Sequence, residues 1–165
     1  MSHARLFLAL WPDASIRRDL VAWRDGWHWP RGATPVPDDK LHLTLHFIGN
    51  VERDRIGALR EALRIAVTPF TLELGVPVLW HHGIAVLEPA STPAALLDLH
   101  AALAEKIVAA GLALEDRPYR PHVTMARRAN GATPPSTGPA IAWQATGYVL
   151  MESAGGRYAV LEHYG

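Results

Sequence analysis

The stretch Lys40-Leu41-His42-Leu43-Thr44-Leu45-His46-Phe47-Ile48-Gly49 constrains this chain more than any other. Its side chains alternate, with Leu41, Leu43, Leu45 and Phe47 on one parity and His42, Thr44, His46 and Ile48 on the other. Alternation of that length is the period of a half-buried β-strand, whose successive side chains point to opposite faces. His42 and Thr44 then stand side by side, with the leucines packed behind them. The pattern returns in Pro121-His122-Val123-Thr124-Met125-Ala126-Arg127, which puts His122 and Thr124 at i and i+2. Any fold for these 165 residues has to accommodate two His-x-Thr strands.

The segments around them read as alternating strands and helices. Arg5 to Trp11 is continuously apolar after Arg5 and predicts a buried strand. Asp13 predicts an N-cap for a helix carrying Ile16, Leu20, Trp23 and Trp27 on one side. Ile56, Leu59, Leu63 and Ala66 mark a second helix. Phe70 to Trp80, broken by Gly75 and Pro77, reads as an edge or bulged strand. It turns at His81-His82-Gly83 into Ile84–Leu87. Thr92 as N-cap with Pro93 in first position opens a third helix through Leu96, Leu99, Leu103 and Ile107, stopped at Gly111. Residues 130–139 (NGATPPSTGP) read as a mobile, turn-rich loop. Two last strands are expected around Trp143–Met151 and Tyr158–Tyr164.

A helix and a Pro-containing connection precede each His-x-Thr strand, and 80 positions separate the two histidines. The expectation is one α+β domain over residues 1–165. It has two pseudo-symmetric lobes of mainly antiparallel sheet with flanking helices around a central cleft, and a loose internal duplication giving each lobe one His-x-Thr strand.

Composition narrows the function. Hydrophobic content of 49% with 19% charge belongs to a globular protein. No apolar run approaches the roughly 18–20 residues that span a bilayer, and the N-terminus lacks a signal-peptide layout. No membrane association is expected, and the cytoplasm is the default compartment. The absence of cysteine excludes disulfides, thiolate metal sites and Cys nucleophiles. Sixteen basic and sixteen acidic residues cancel, so no global field draws the chain onto long nucleic acid. An anion has to be held locally, and Arg117, Arg120, Arg127 and Arg128 around the second motif are candidates.

One His and one Thr per lobe, facing each other, make a symmetric polar site. A neutral imidazole can take a proton from water while an imidazolium gives one to a leaving oxygen. Each threonine hydroxyl can donate to a non-bridging oxygen of an anion between the histidines. Two imidazoles, two hydroxyls and an arginine suit a phosphate under attack by water. A metal site is not expected. His42 and His46 at i and i+4 would lie about 13 Å apart on a strand at roughly 3.3 Å per residue, too far to share an ion. His81 and His82 fall on a hairpin tip, and His3, His28, His100 and His163 read as surface or satisfied residues. Trp80 beside the tip can stack on a base, although packing explains most of the six tryptophans.

Arg5-Leu6-Phe7-Leu8-Ala9, His42-Leu43-Thr44-Leu45-His46-Phe47-Ile48-Gly49, Pro118-Tyr119-Arg120-Pro121-His122-Val123-Thr124-Met125-Ala126-Arg127 and Tyr158-Ala159-Val160-Leu161-Glu162 cover nearly the whole chain in order. With these pieces the chain resembles the two-histidine phosphoesterases, specifically the RNA 2′,3′-cyclic phosphodiesterases also called 2′-5′ RNA ligases. The resemblance implies cofactor-free, metal-independent hydrolysis of a terminal 2′,3′-cyclic phosphate to a 2′-phosphate, and reversible 2′-5′ ligation. By that analogy His122 is the general base, His42 the general acid, and Thr44 and Thr124 bind phosphate oxygens. Arg127, Tyr119 and Phe47 are further candidates for substrate contact, ordinary packing explaining Phe47 better. Met125 stands where relatives usually have Leu, and Met151-Glu152 where polar or basic residues are common. The implied partners are RNA 3′ ends or oligonucleotides bearing a 2′,3′-cyclic phosphate, acted on by a monomer with no obligate protein partner. Two alternatives remain open. One is a phosphodiesterase for small cyclic phosphates, nucleoside 2′,3′-cyclic phosphate or ADP-ribose cyclic phosphate. The other is a non-catalytic module that binds RNA ends.

Overall fold

Strand β1 (His3–Leu10) is buried on both faces, which explains its unbroken apolar run. Leu6, Leu8 and Leu10 enter the main core, while Phe7 and Ala9 join Val149 and Met151 in a small cluster on the opposite face, flanked by Trp11 and Tyr158. The computed structural model describes residues 2–165. Helix α1 (Ala14–Asp25) follows, then β2 (Thr34–Pro35), β3 (Leu43–Glu52), α2 (Ile56–Ala62), β4 (Phe70–Trp80), β5 (Ile84–Pro89) and α3 (Ala94–Ala109). Strands β6 (Val123–Arg127), β7 (Ile141–Ala145), β8 (Tyr148–Ala154) and β9 (Arg157–Tyr164) complete the chain. All these strands form one open sheet in the order β7-β4-β5-β6-β3-β1-β8-β9, with β2 beside β6. Every pairing is antiparallel, as the α+β reading expected. Among the described residues no helix is long and apolar enough to cross a membrane.

The sheet nearly parts in the middle, because β3 and β6 share the single pair Leu43–Val123. The helices bind the halves together from behind. Helix α1 packs on β6 and β7, and α3 packs on β3, so each motif strand is backed by the helix that precedes the other one. Asp13 caps α1 as expected, its Oδ1 accepting from the Ile16 amide at 2.8 Å. The N-terminus of α3 differs from expectation. Pro93 itself is the N-cap, held extended at ψ 140°, and no side chain, Thr92 included, caps the helix. Its C-terminus closes in a Schellman motif. Gly111 adopts φ +80° and donates to Val108, while the Leu112 amide donates to Ile107.

Two further expectations are corrected, for Trp143–Met151 and for residues 130–139, and that for β4 is met. The run Trp143–Met151 is two strands rather than one. Strand β7 pairs with β4 at one end of the sheet, and β8 pairs with β1 and β9 at the other. Strand β4 does carry a bulge, between Leu74 and Val76, but it is an edge only in part. Its first half pairs with β7 and its second with β5, so Pro77 lies in a half paired on one side only. The loop at 130–139 is anchored: Trp23 Nε1 donates to the Pro139 carbonyl at 2.7 Å, and the backbones of His28 and Thr133 exchange two hydrogen bonds.

A last correction changes which residues face the cleft. Register slips by one residue between Leu8 and Ala9 and again between Leu6 and Phe7, each extra residue falling on β3. Such bulges reverse the side-chain parity beyond them. His46, placed by simple alternation beside His42, is instead buried, and Phe47 is 53% exposed. The His46 ring stacks on His100 of α3 (centroids 3.9 Å apart), and its Nε2–H donates to the His100 carbonyl at 2.8 Å. His100 stacks in turn on Tyr119 at 3.8 Å, and the Tyr119 hydroxyl donates to the Thr44 carbonyl at 2.9 Å.

Two predictions follow from this packing. A methyl group on Gly138 would lie 2.5–2.7 Å from the Trp23 indole. Gly138→Ala is therefore expected to cost about 1–3 kcal/mol, as overpacking typically does, read as a lowered midpoint in chemical denaturation. Desolvation, reinforced by His46, pushes His100 from 6.5 to about 4, and desolvation lowers His46 as well. These rings stay neutral in the folded state, while the unfolded chain takes up protons first as pH falls below 6.5. Their contribution to stability is thus present above 6.5 and lost as pH falls toward 4. A series of denaturation midpoints from pH 7 to pH 4 should decline, and His100→Gln should flatten the decline; an equal slope in the variant would exonerate the stack.

Candidate active site

Leu43 and Val123 are both fully buried and face the core. Their neighbours on either side must therefore face the other way. In an antiparallel register this single pair sets His42 across from Thr124 and Thr44 across from His122. All four side chains line one cleft of about 1150 Å³. Two imidazoles and two hydroxyls thus line the cleft at the junction of the half-sheets.

Each ring is oriented by its own backbone. His42 Nδ1–H donates to the Lys40 carbonyl at 2.6 Å, and His122 Nδ1–H donates to the Arg120 carbonyl at 2.8 Å. A carbonyl can only accept, so both neutral rings carry their proton on Nδ1 and leave Nε2 free to exchange one. The Thr44 hydroxyl donates to His42 Nε2 at 3.0 Å. Among the described residues no group of three or more His, Cys, Asp or Glu could hold a metal ion.

Although the whole chain is neutral, the cleft is positive. Arg5, Lys40, Arg117, Arg120 and Arg127 line it, against Glu115 alone among the carboxylates. Arg127 acts on both histidines, and its charge disfavours a second positive charge on either. Burial pushes His42 down from 6.5 to about 4, with His122, Arg17 and Arg127 adding to the effect against the Lys40 carbonyl. His122 is also lowered by burial, but the Glu88 carboxylate pulls the other way. Both rings are thereby neutral near pH 7 in the empty cleft.

The placement of the remaining candidates is mixed. Arg127 and Phe47 line the cleft, and packing does not account for Phe47, which the bulges turn outward. Tyr119 does not reach the cleft. It lies behind β3, holding the Thr44 carbonyl and stacked on His100. Arg117 and Arg120 border the cleft and Arg128 does not; His81 and His82 sit on its rim. Met151 is buried, and Glu152 pairs with Arg53 at 2.6 Å. Sequence reasoning missed the aromatic enclosure of His42. Phe7 lies 5.1 Å from its ring, Trp11 stacks at 5.5 Å and Tyr158 stands edge-on at 5.6 Å. The unbroken apolar run of β1, too long for one buried face, was the available signal.

Relatives of known name share this arrangement of chain and fold. The chain is 34% identical over 153 residues to an RNA 2′,3′-cyclic phosphodiesterase of Escherichia coli, covering 91% of this chain and 87% of that protein. It is 29% identical over 181 residues to one of Thermus thermophilus, covering 97% and 89%. Among solved structures, Escherichia coli LigT in its apo form superposes with a TM-score of 0.82 at 32% identity, over 99% of this chain and 97% of that one. The sequence profile of the 2′-5′ RNA ligase superfamily matches residues 12–153, and with a half-parted antiparallel sheet carrying one His-x-Thr on each side of the seam, the chain belongs to that superfamily.

Proposed function

We propose that this protein is an RNA 2′,3′-cyclic phosphodiesterase that opens a terminal 2′,3′-cyclic phosphate to a 2′-phosphate by paired-histidine acid–base catalysis. The observation that carries the reading is the convergence of His42, Thr44, His122 and Thr124 on one positive cleft across the Leu43–Val123 pair. In the reaction water attacks phosphorus, its proton passes to His122 Nε2, and the bond from phosphorus to O3′ breaks as His42 protonates that oxygen. Thr44 and Thr124 donate to the non-bridging oxygens, and Arg127 offsets their charge.

Electrostatics supports this division of roles. A carboxylate near the general base stabilises the imidazolium that forms there, and Glu88 is so placed relative to His122. A ring depressed to about 4, like His42, is a strong acid once it holds a proton. Run with a 5′-hydroxyl in place of water, the same steps give 2′-5′ ligation. The reading includes one bilobal domain acting as a cytoplasmic monomer without an obligate protein partner. The zero net charge favours short oligonucleotides or cyclic nucleotides over long RNA.

The deciding assay is hydrolysis of an RNA oligonucleotide ending in a 2′,3′-cyclic phosphate, with EDTA present. Wild type should release a 2′-phosphate end, and His42→Ala and His122→Ala should each lose about 10²–10⁴-fold in kcat. Unchanged turnover in either variant would remove that histidine from the chemistry. Binding without turnover in wild type would leave a module for RNA ends. A second expectation concerns pH. Because both rings are neutral at pH 7 in the empty cleft, kcat/KM should rise as pH falls from 8 toward 6. A bound phosphate anion favours the protonated ring, so the alkaline limb of kcat should lie at higher pH than that of kcat/KM; coincident limbs would contradict the argument.

A further inference from the structure

The two sides of the cleft are not equivalent. Around His42 the surroundings are closed: Lys40 lies over the Tyr158 ring at 5.4 Å and is tied to the Gly156 carbonyl, while Phe7 and Trp11 fill the space behind. Around His122 one aromatic ring stands where His42 has three. Trp80, the last residue of β4, lies 4.3 Å from the His122 ring. The Arg120 guanidinium covers Trp80, with its central carbon 4.6 Å from the ring centroid.

One carboxylate holds both plates. Glu88 Oε2 accepts from Arg120 Nε at 2.5 Å and from Trp80 Nε1 at 3.3 Å. The Glu88 side chain is 14% exposed and that of Arg120 is 61% exposed. A largely buried carboxylate therefore fixes an arginine that lines the cleft and stays exposed. A surface arginine that served only solubility would have no need of an aromatic beneath it and a tethering carboxylate at its edge. Unpaired bases are bound by stacking on aromatic rings or on arginine planes. The layers Trp80 and Arg120 lack only a third.

We propose that Arg120, stacked on Trp80 and held by Glu88, is the platform for a nucleobase carried by the phosphate ester, and so determines specificity. This rests on the phosphodiesterase reading and narrows it. The substrate bears a base next to its reacting phosphate, as an RNA end or a nucleoside 2′,3′-cyclic phosphate does. A cyclic phosphate on a bare ribose, as in an ADP-ribose cyclic phosphate, leaves the platform empty. The larger stacking surface of purines makes them the preferred occupants. Glu88 is a positioning residue here, acting through Arg120.

The test is a ratio: kcat/KM for adenosine 2′,3′-cyclic phosphate divided by kcat/KM for methyl riboside 2,3-cyclic phosphate, which has no base. Stacking of one base changes affinity by roughly 5- to 100-fold, and wild type should favour adenosine by a factor in that range. In Arg120→Ala the ratio should fall about tenfold, mainly through KM for the adenosine substrate, at the strength of such stacking. Arg120→Lys should not restore it, since the ammonium keeps the charge and lacks the plate. Glu88→Gln should lower the ratio in the same direction. A ratio unchanged by Arg120→Ala and Arg120→Lys would overturn the proposal while leaving the hydrolysis reading intact. If wild type hydrolyses neither ester, the same ratio is read from equilibrium binding of adenosine 2′-monophosphate and methyl riboside 2-phosphate. There too, loss of discrimination in Arg120→Lys supports the platform and undiminished discrimination overturns it.

Discussion

A single residue pair, Leu43 with Val123, joins the two halves of this sheet, and the candidate site is a consequence of it. Both side chains point into the core and are completely buried. Burying a Val or Leu side chain is worth about 1.5–3 kcal/mol, so the pair is held by apolar burial more than by a ladder of hydrogen bonds. Because strand neighbours alternate in direction, whatever flanks the buried pair must face outward. The polar chemistry at positions 42, 44, 122 and 124 is therefore positioned by its apolar neighbours. A seam one pair wide keeps the two motifs in register and lets the half-sheets diverge above them.

The second constraint is desolvation. Holding the imidazoles against aromatic walls and beside several cations makes protonation costly, and for His42 burial is the largest contribution. The backbone restores part of that cost by accepting from Nδ1 two residues upstream of each ring. The result is two rings with fixed tautomers and unprotonated Nε2 atoms, that of His42 accepting from the Thr44 hydroxyl, kept neutral until an anion arrives. Phosphate binding and protonation are then coupled: the ligand that needs a proton donor is the one whose charge allows a ring to become one. Glu88 breaks the symmetry of the pair, since no carboxylate acts on His42 in the same way.

Much of this was legible in the residues, for identifiable reasons. Alternation put His42, Thr44, His122 and Thr124 on one face because their leucine and valine neighbours are unambiguously core, although each histidine stands one residue before its strand, which begins at Leu43 or Val123. It failed at His46 and Phe47, where two bulges on β3 reverse the parity, and nothing in the local pattern marks a bulge without its partner strand. It failed again at Trp143–Met151, where two alternating runs of like character abut and only their partners at opposite ends of the sheet separate them. Tyr119 was a candidate for substrate contact through the resemblance of its motif. Its hydroxyl instead supports Thr44, on the other motif strand.

That crossing of support has a structural logic. Helix α3, which leads into the second motif, packs behind the first, and the His46–His100–Tyr119 stack is where the two meet. Tyr119 is three residues from His122 yet holds the Thr44 carbonyl at 2.9 Å. Movement of the second motif strand therefore pulls on the first through its backbone. Two half-sheets joined by one residue pair would otherwise be free to hinge about it, and a phosphate site built across the hinge would lose its geometry. Behind the seam, buried and partly buried aromatic and imidazole rings stack in a column and restrict that motion. The cleft face is left to the groups that meet the anion. The column needs neutral rings to pack without repulsion, and burial supplies that by lowering both His46 and His100. Desolvation that primes His42 in front of the sheet thus also holds the support behind it together, so acid should weaken the geometry of the site together with the fold that carries it.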